Sequence, residues 1–194
     1  MSLIGKKMPD FKAPAVIKND LGSFDTSTLR GKWGVVFFYP LDFTFVCPTE
    51  IVAFSDNAKK FEEANCQILG VSIDSEHSHL AWVNTPREKG GLGKINIPLV
   101  ADVKKEIARN FDVLDEEAGI AYRGVFIIDP KGIVQAAIVN NLAVGRNVDE
   151  VLRTLKAFQY VQSHDGEVCP ANWHDGQETI RKTAQSVGDY LKKH

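Results

Sequence analysis

Three cysteines, Cys47, Cys66 and Cys169, are the side chains of this sequence best suited to nucleophilic or redox chemistry. They are too few and too scattered for a disulfide framework, and no Cys-x-x-Cys pair offers a zinc knuckle or a dithiol. In a reducing compartment a cysteine pair that forms a disulfide is usually transient and catalytic. Cys47 stands out by its neighbours. It follows the apolar run Val35-Val-Phe-Phe-Tyr39 through the loop Pro40-Leu-Asp-Phe-Thr-Phe-Val46, and Pro48 comes next. Proline favours the first helical positions and biases the residue before it away from helical geometry, which places Cys47 at the N-cap or in the first turn. Free N–H groups and the positive end of the helix dipole lie there, and both stabilise a thiolate. The stakes are kinetic: an ordinary cysteine, with a pKa of about 8.5, is only about 3% ionised at pH 7. Strand-end placement also brings the sulfur to the rim where ligands bind α/β sheets.

The elements that must hold Cys47 follow from periodicity. Val35–Tyr39 and Gln67-Ile-Leu-Gly-Val-Ser-Ile73 are short, apolar, β-rich runs that read as buried strands. Between them, Ile51, Val52, Phe54, Ala58 and Phe61 share one helical face over Thr49–Ala64, giving a strand–helix–strand unit and a parallel pairing. Further helices are expected from near Ser75 and over Lys104–Phe111. Arg123–Ile128 and Ile133–Val139 flank Asp129-Pro-Lys-Gly132, a type I turn signature that predicts a hairpin. An amphipathic helix is expected over Asn147–Gln162. The reading is an α/β fold of the thioredoxin-like kind, a central mixed sheet flanked by helices. Residues 1–163 form the domain, and 164–194 form a C-terminal arm with a possible terminal helix.

Composition narrows the function. The 194 residues carry 23 basic and 25 acidic side chains in mixed order, for a net charge of -2, so no concentrated basic face for nucleic acid is expected. No apolar run approaches the roughly 20 residues of a membrane span. The N-terminus lacks the pattern of a signal peptide, and a cytoplasmic location is expected. Without a P-loop or dinucleotide glycine fingerprint, no bound cofactor is expected. His77 and His79 are two apart with no third ligand nearby, so they read as a solvated turn and not a metal site; His164, His174 and His194 read similarly. Cys66, at the entry to a strand, reads as inert packing.

The segment Pro40-Leu-Asp-Phe-Thr44-Phe-Val-Cys47-Pro-Thr-Glu50 resembles the active-site loop of the peroxiredoxins, Pro-x-x-x-Thr-x-x-Cys, and matches at every defined position. The resemblance runs over essentially the whole chain, through Arg123, Val144-Gly-Arg146 and Gly166-Glu-Val-Cys-Pro170, and is closest to the typical 2-Cys subgroup of alkyl hydroperoxide reductase C. It implies a thiol peroxidase. Cys47 attacks a hydroperoxide, Thr44 grips the peroxide through its hydroxyl, and Arg123 stabilises thiolate and developing oxyanion with its planar donors. The resemblance further implies that Pro40 shields the pocket from water, and Glu50 is expected to orient an arginine, with Arg146 expected as a second cation near the site. The resulting sulfenic acid condenses with a second thiol.

Residues alone leave open whether Cys47 and Cys169 meet within one chain; the resemblance implies pairing between subunits, a homodimer, and assembly into a decamer. Recycling then falls to thioredoxin or a dedicated flavoprotein disulfide reductase. Gly90-Gly-Leu-Gly93 resembles the glycine loop of peroxide-sensitive members, but Tyr190-Leu191 replaces their terminal Tyr-Phe and leaves that sensitivity open. Competing readings are a thiol-disulfide oxidoreductase, which the missing Cys-x-x-Cys disfavours, and a holdase, which would have no use for Thr44, Cys47 and Arg123 together.

Overall fold

The structure, a computed structural model, describes residues 2–194. Its organising strand is β3 (Trp33–Phe38), buried at every position. Alternate side chains leave a strand on opposite faces, so a strand covered on both sides reads as a continuous apolar run. Val36 and Phe38 join a cluster with Leu69, Val71, Phe111 and Phe126 on one face. On the other, Phe37 stacks on Phe54 with ring centroids 4.4 Å apart. Burial of a side chain of this size contributes about 1.5–3 kcal/mol.

In chain order the remaining elements of the first part are β1 (Lys12–Ile17), β2 (Asp20–Asp25), α1 (Cys47–Asp56), α2 (Ala58–Glu63), β4 (Cys66–Ser72) and α3 (Glu76–Asn84). They continue with β5 (Leu99–Ala101), α4 (Glu106–Asn110), β6 (Leu114–Asp115), β7 (Ile120–Ala121), β8 (Arg123–Ile128) and β9 (Val134–Asn140). Seven strands form one sheet in the order β2-β1-β5-β4-β3-β8-β9. β5, β4 and β3 run parallel, and the flanking pairs are antiparallel. This is a thioredoxin-like mixed sheet.

Differences from the sequence reading have local causes. The single expected helix over 49–64 is two, because Asn57 turns both its backbone N–H and its Nδ2 onto the Ala53 carbonyl and ends α1. The β1–β2 hairpin was not read: Lys18 and Asn19 form its two-residue loop with φ of 53° and 63°, and Lys-Asn is a weak signature for a turn that favours Asn-Gly. The β8–β9 turn is as expected. Gly132 sits at φ 81°, and Asp129 Oδ1 accepts from the N–H groups of Lys131 and Ile133.

The chain divides into two compact units, one ending at Val148 and the other spanning Asp149–His194. All but the first residue of helix α5 (Val148–Ser163) therefore groups with the C-terminal segment, whereas the sequence reading drew the line at 163/164. The rest of that unit is the two-stranded β10 (Glu167–Val168) and β11 (Ile180–Arg181), and α6 (Ala184–Leu191), whose N-cap Thr183 accepts from the Ser186 N–H.

Candidate active site

Cys47 is the first residue of α1, with Pro48 behind it, and its side chain is fully buried. The strand β3 ends nine residues earlier, so the loop from Tyr39 to Val46 spans from sheet to helix. Opposite, β8 runs antiparallel to β3 and begins with Arg123, which is buried at 3% exposure. Arg123 Nη1 lies 3.4 Å from Cys47 Sγ and 2.7 Å from Glu50 Oε2, while its Nε donates to the Leu142 carbonyl at 2.7 Å.

Glu50, one turn into α1 from Cys47, organises the cations. Its carboxylate accepts from Arg146 Nε at 2.7 Å, Arg146 Nη2 at 2.9 Å and the Arg146 backbone N–H at 2.7 Å, besides Arg123. Arg146 also donates to the Gly124 carbonyl and lies 5.4 Å over the Phe37 ring. Burial pulls the Arg146 guanidinium below its ordinary range, and the hydrogen bonds and charge of Glu50 oppose that. Such a fork-on-carboxylate pair tolerates burial because each polar atom is satisfied. Two guanidinium charges against one carboxylate leave one positive charge unbalanced. That excess positive charge lies beside Cys47 Sγ, at a helix N-terminus that also favours negative charge.

Thr44 and Pro40 lie in the loop that leads to Cys47. Thr44 Oγ1 donates to the Leu41 carbonyl at 2.8 Å, which commits its proton and leaves lone pairs able to accept from a peroxide O–H. Pro40 is buried two residues past the end of β3. Phe43, in the same loop, holds φ at 53°, a left-handed conformation that costs an aromatic residue about 1–3 kcal/mol, and its ring leans on Trp82 at 5.6 Å.

One reading needs correction. His79 is not in a solvated turn: it is fully buried on α3, with Nδ1 2.8 Å from Asp42 Oδ2 and Nε2 3.2 Å from the Val100 carbonyl. His77 remains exposed. The overlooked signal is spacing, since His79, Trp82 and Val83 form one i, i+3, i+4 stripe. Asp42 also accepts from Tyr39 Oη at 2.9 Å and Ser78 Oγ at 2.8 Å, and its N–H donates to Asp74 Oδ2 at 2.9 Å. This cluster anchors the Cys47 loop to α3 and β4 five residues before the sulfur. Burial raises the Asp74 carboxyl, and neighbouring Asp42 adds to the rise.

Cys66 is buried at 4% exposure and its thiol is pushed up to about 12 by that burial. It lines a cleft of about 890 Å³ between the β1–β2 turn, the α1–α2 junction and the loop around Ile97, a cleft that Cys47 does not line. Cys169 is partly buried in the C-terminal unit, with Sγ 3.7 Å from the Ala157 carbonyl. No group of three or more potential metal ligands occurs among the described residues.

Comparison with known proteins agrees with this chemistry. The AhpC/TSA family model matches residues 4–137, and the model for the C-terminal domain of 1-Cys peroxiredoxin matches residues 157–193. Peroxiredoxin-2 of Mus musculus is 56% identical over 191 residues, covering 98% of this chain and 96% of the relative. Peroxiredoxin tpx1 of Schizosaccharomyces pombe is 55% identical over 195 residues, covering all of both chains. The crystal structure of reduced Plasmodium vivax 2-Cys peroxiredoxin superposes with a TM-score of 0.95 at 42% identity, over 99% of this chain and 100% of that one. The chain belongs to the AhpC/TSA family and is a peroxiredoxin, a thiol-dependent peroxidase.

Proposed function

We propose that Cys47 is the peroxidatic nucleophile and Cys169 of a partner copy the resolving one. The observation that carries the reading is the placement of Arg123 Nη1, 3.4 Å from Cys47 Sγ and held there by Glu50. The thiolate attacks the terminal peroxide oxygen, and an S–O bond forms as the O–O bond breaks to leave Cys47 as a sulfenic acid. The departing hydroxide or alkoxide takes a proton from solvent to become water or alcohol, respectively. Arg123 serves both ends of this step, as thiolate counter-ion and as donor to the developing oxyanion. Thr44 accepts from the peroxide O–H, Pro40 keeps water from the loop, and Glu50 with Arg146 fixes the position of Arg123. The substrates are hydrogen peroxide and organic hydroperoxides.

In the second step the Cys169 thiolate attacks the sulfenic sulfur of Cys47. An S–S bond forms, the S–O bond breaks, and the departing hydroxide is protonated to water. A thioredoxin-type reductant, the kind that the family implies, then returns two electrons. A dedicated flavoprotein reductase is the second candidate.

Exposed apolar side chains support self-association into a dimer and a decamer. Phe45 is 93% exposed beside Cys47, and Val139 is 51% exposed on the edge strand β9. No helix among the described residues is long and apolar enough to cross a membrane, and the cytoplasm is the proposed compartment.

Mild peroxide should convert the reduced protein to a covalent dimer on non-reducing gels, with Cys47 and Cys169 joined in the peptide map. Cys169→Ser should prevent that species. An intrachain disulfide would sink the intersubunit reading, and a covalent dimer formed by Cys169→Ser would sink the assignment of Cys169.

A further inference from the structure

The resolving cysteine is docked. Cys169 Sγ points its proton at the Ala157 carbonyl of α5. One helical turn earlier on the same strip, Arg153 Nη1 donates to the Trp173 carbonyl at 2.8 Å, four residues beyond Cys169. Arg153 is itself clamped: Nε and Nη2 grip the two Glu150 carboxylate oxygens at 2.7 Å each, and Thr154 Oγ1 supports the same carboxylate at 3.0 Å. Trp173 is 1% exposed and tilts against Tyr160 at 5.3 Å, with its Nε1 donating to the Gln177 carbonyl. The loop carrying Cys169 is thus fastened to α5 at two points one turn apart.

We propose that Arg153 is a positioning residue for the resolving step, a latch that stores Cys169 as a docked, protonated thiol and limits how often the loop releases it. The proposal rests on Cys169 being the resolving cysteine. In the docked state the sulfur donates to a carbonyl, which favours the neutral thiol. Burial raises it further, the Arg153 cation on α5 opposes, and the Glu167 carboxylate on β10 adds to the rise; the net direction is upward. Only the thiolate attacks a sulfenic sulfur, so the docked form is the poor nucleophile and the released form, with an ordinary thiol, the good one. Opening the latch therefore raises reactivity at neutral pH, even though it also removes a cation from the neighbourhood.

The sign of the effect separates a latch from an electrostatic activator. Reduced full-length protein mixed with stoichiometric hydrogen peroxide in a stopped-flow fluorimeter should show a fast oxidation phase and a slower resolution phase that accelerates with pH. Arg153→Met should speed the slow phase about fivefold at pH 7, the change in an opening equilibrium that loss of one such hydrogen bond brings. It should also move the pH midpoint of that phase downward, toward the ordinary thiol value of about 8.5. Glu150→Gln, which keeps Arg153 and weakens its clamp, should move both readouts in the same direction and decides the matter if Arg153→Met does not fold. A slow phase unchanged or slowed, or a midpoint moved upward, overturns the latch. Cys169→Ser run in parallel tests the underlying reading separately: disulfide formation surviving in that variant means that Cys169 is not the resolving thiol.

Discussion

The chemistry condenses onto one carboxylate. Glu50 accepts hydrogen bonds from two arginines, and through them it fixes where positive charge meets Cys47. Removing one partner of a buried ion pair costs about 3–5 kcal/mol, because the remaining charges stay buried without compensation. Glu50→Ala should therefore lower the melting midpoint by roughly 10 °C for a chain of this length, read by calorimetry, and slow peroxide turnover as Arg123 loses its hold. A midpoint unchanged within about 2 °C would contradict the cluster's structural role. Cys66 presents the opposite case. A thiol pushed up to about 12 is ionised to roughly one part in 10⁵ at pH 7, so Cys66 should resist a water-soluble maleimide until the protein is unfolded. Cys66→Ser should leave turnover nearly unchanged in a coupled peroxidase assay. Rapid native labelling of Cys66, shown by peptide mass, would refute its inert role.

At the scale of elements, the sequence was legible where pattern and geometry share a period. The β3 run, the Pro48 helix start and the Asp129–Gly132 turn each carry a local signal that nothing distant overrides. Glu50 and Arg146, by contrast, are 96 residues apart, and only the sheet order brings β8 beside β3 so that Arg123 and Arg146 converge on α1. No periodicity encodes that convergence; the loop motif pointed to Glu50 and the resemblance along the rest of the chain to Arg123 and Arg146, and the register of β3 on β8 supplies the physical reason for Arg123. His79 was misread because its partner Asp42 lies 37 residues away, and a histidine beside exposed His77 looks solvated until the helical stripe is drawn. The pairing implies an anchoring role for α3. His79→Ala leaves the buried Asp42 carboxylate without one of its donors, at a cost of about 1–3 kcal/mol. Chemical denaturation should show the loss, and turnover should fall with it as the Cys47 loop loosens; a variant as stable as the parent would remove His79 from the anchor.

At the scale of the whole molecule, two compact units carry the two thiols, Cys47 in the first and Cys169 in the second. The proposed cycle joins Cys47 to Cys169 of a partner copy, and the exposed apolar side chains Phe45, Val139 and Val144 are candidate contacts for that partner. Analytical ultracentrifugation of the reduced protein should give a dimer or a higher even assembly. Phe45→Asp should shift the distribution toward smaller species, since burying a carboxylate without a partner is costly. A monomer at micromolar concentration would contradict the assembly and leave the disulfide to form within one chain.

The central claim, that Cys47 is the atom that meets peroxide, is tested most directly by single-turnover mass spectrometry. Reduced protein receives one equivalent of hydrogen peroxide with a sulfenic-acid trap present, and residual peroxide is measured within seconds. In the parent and in Cys169→Ser, the peroxide should disappear and the trap should mark Cys47. In Cys47→Ser, which is nearly isosteric and should keep the fold, the peroxide should remain and no cysteine should carry the adduct. Peroxide consumed at the parental rate by Cys47→Ser, or an adduct found on Cys66 or Cys169 in place of Cys47, would contradict the account.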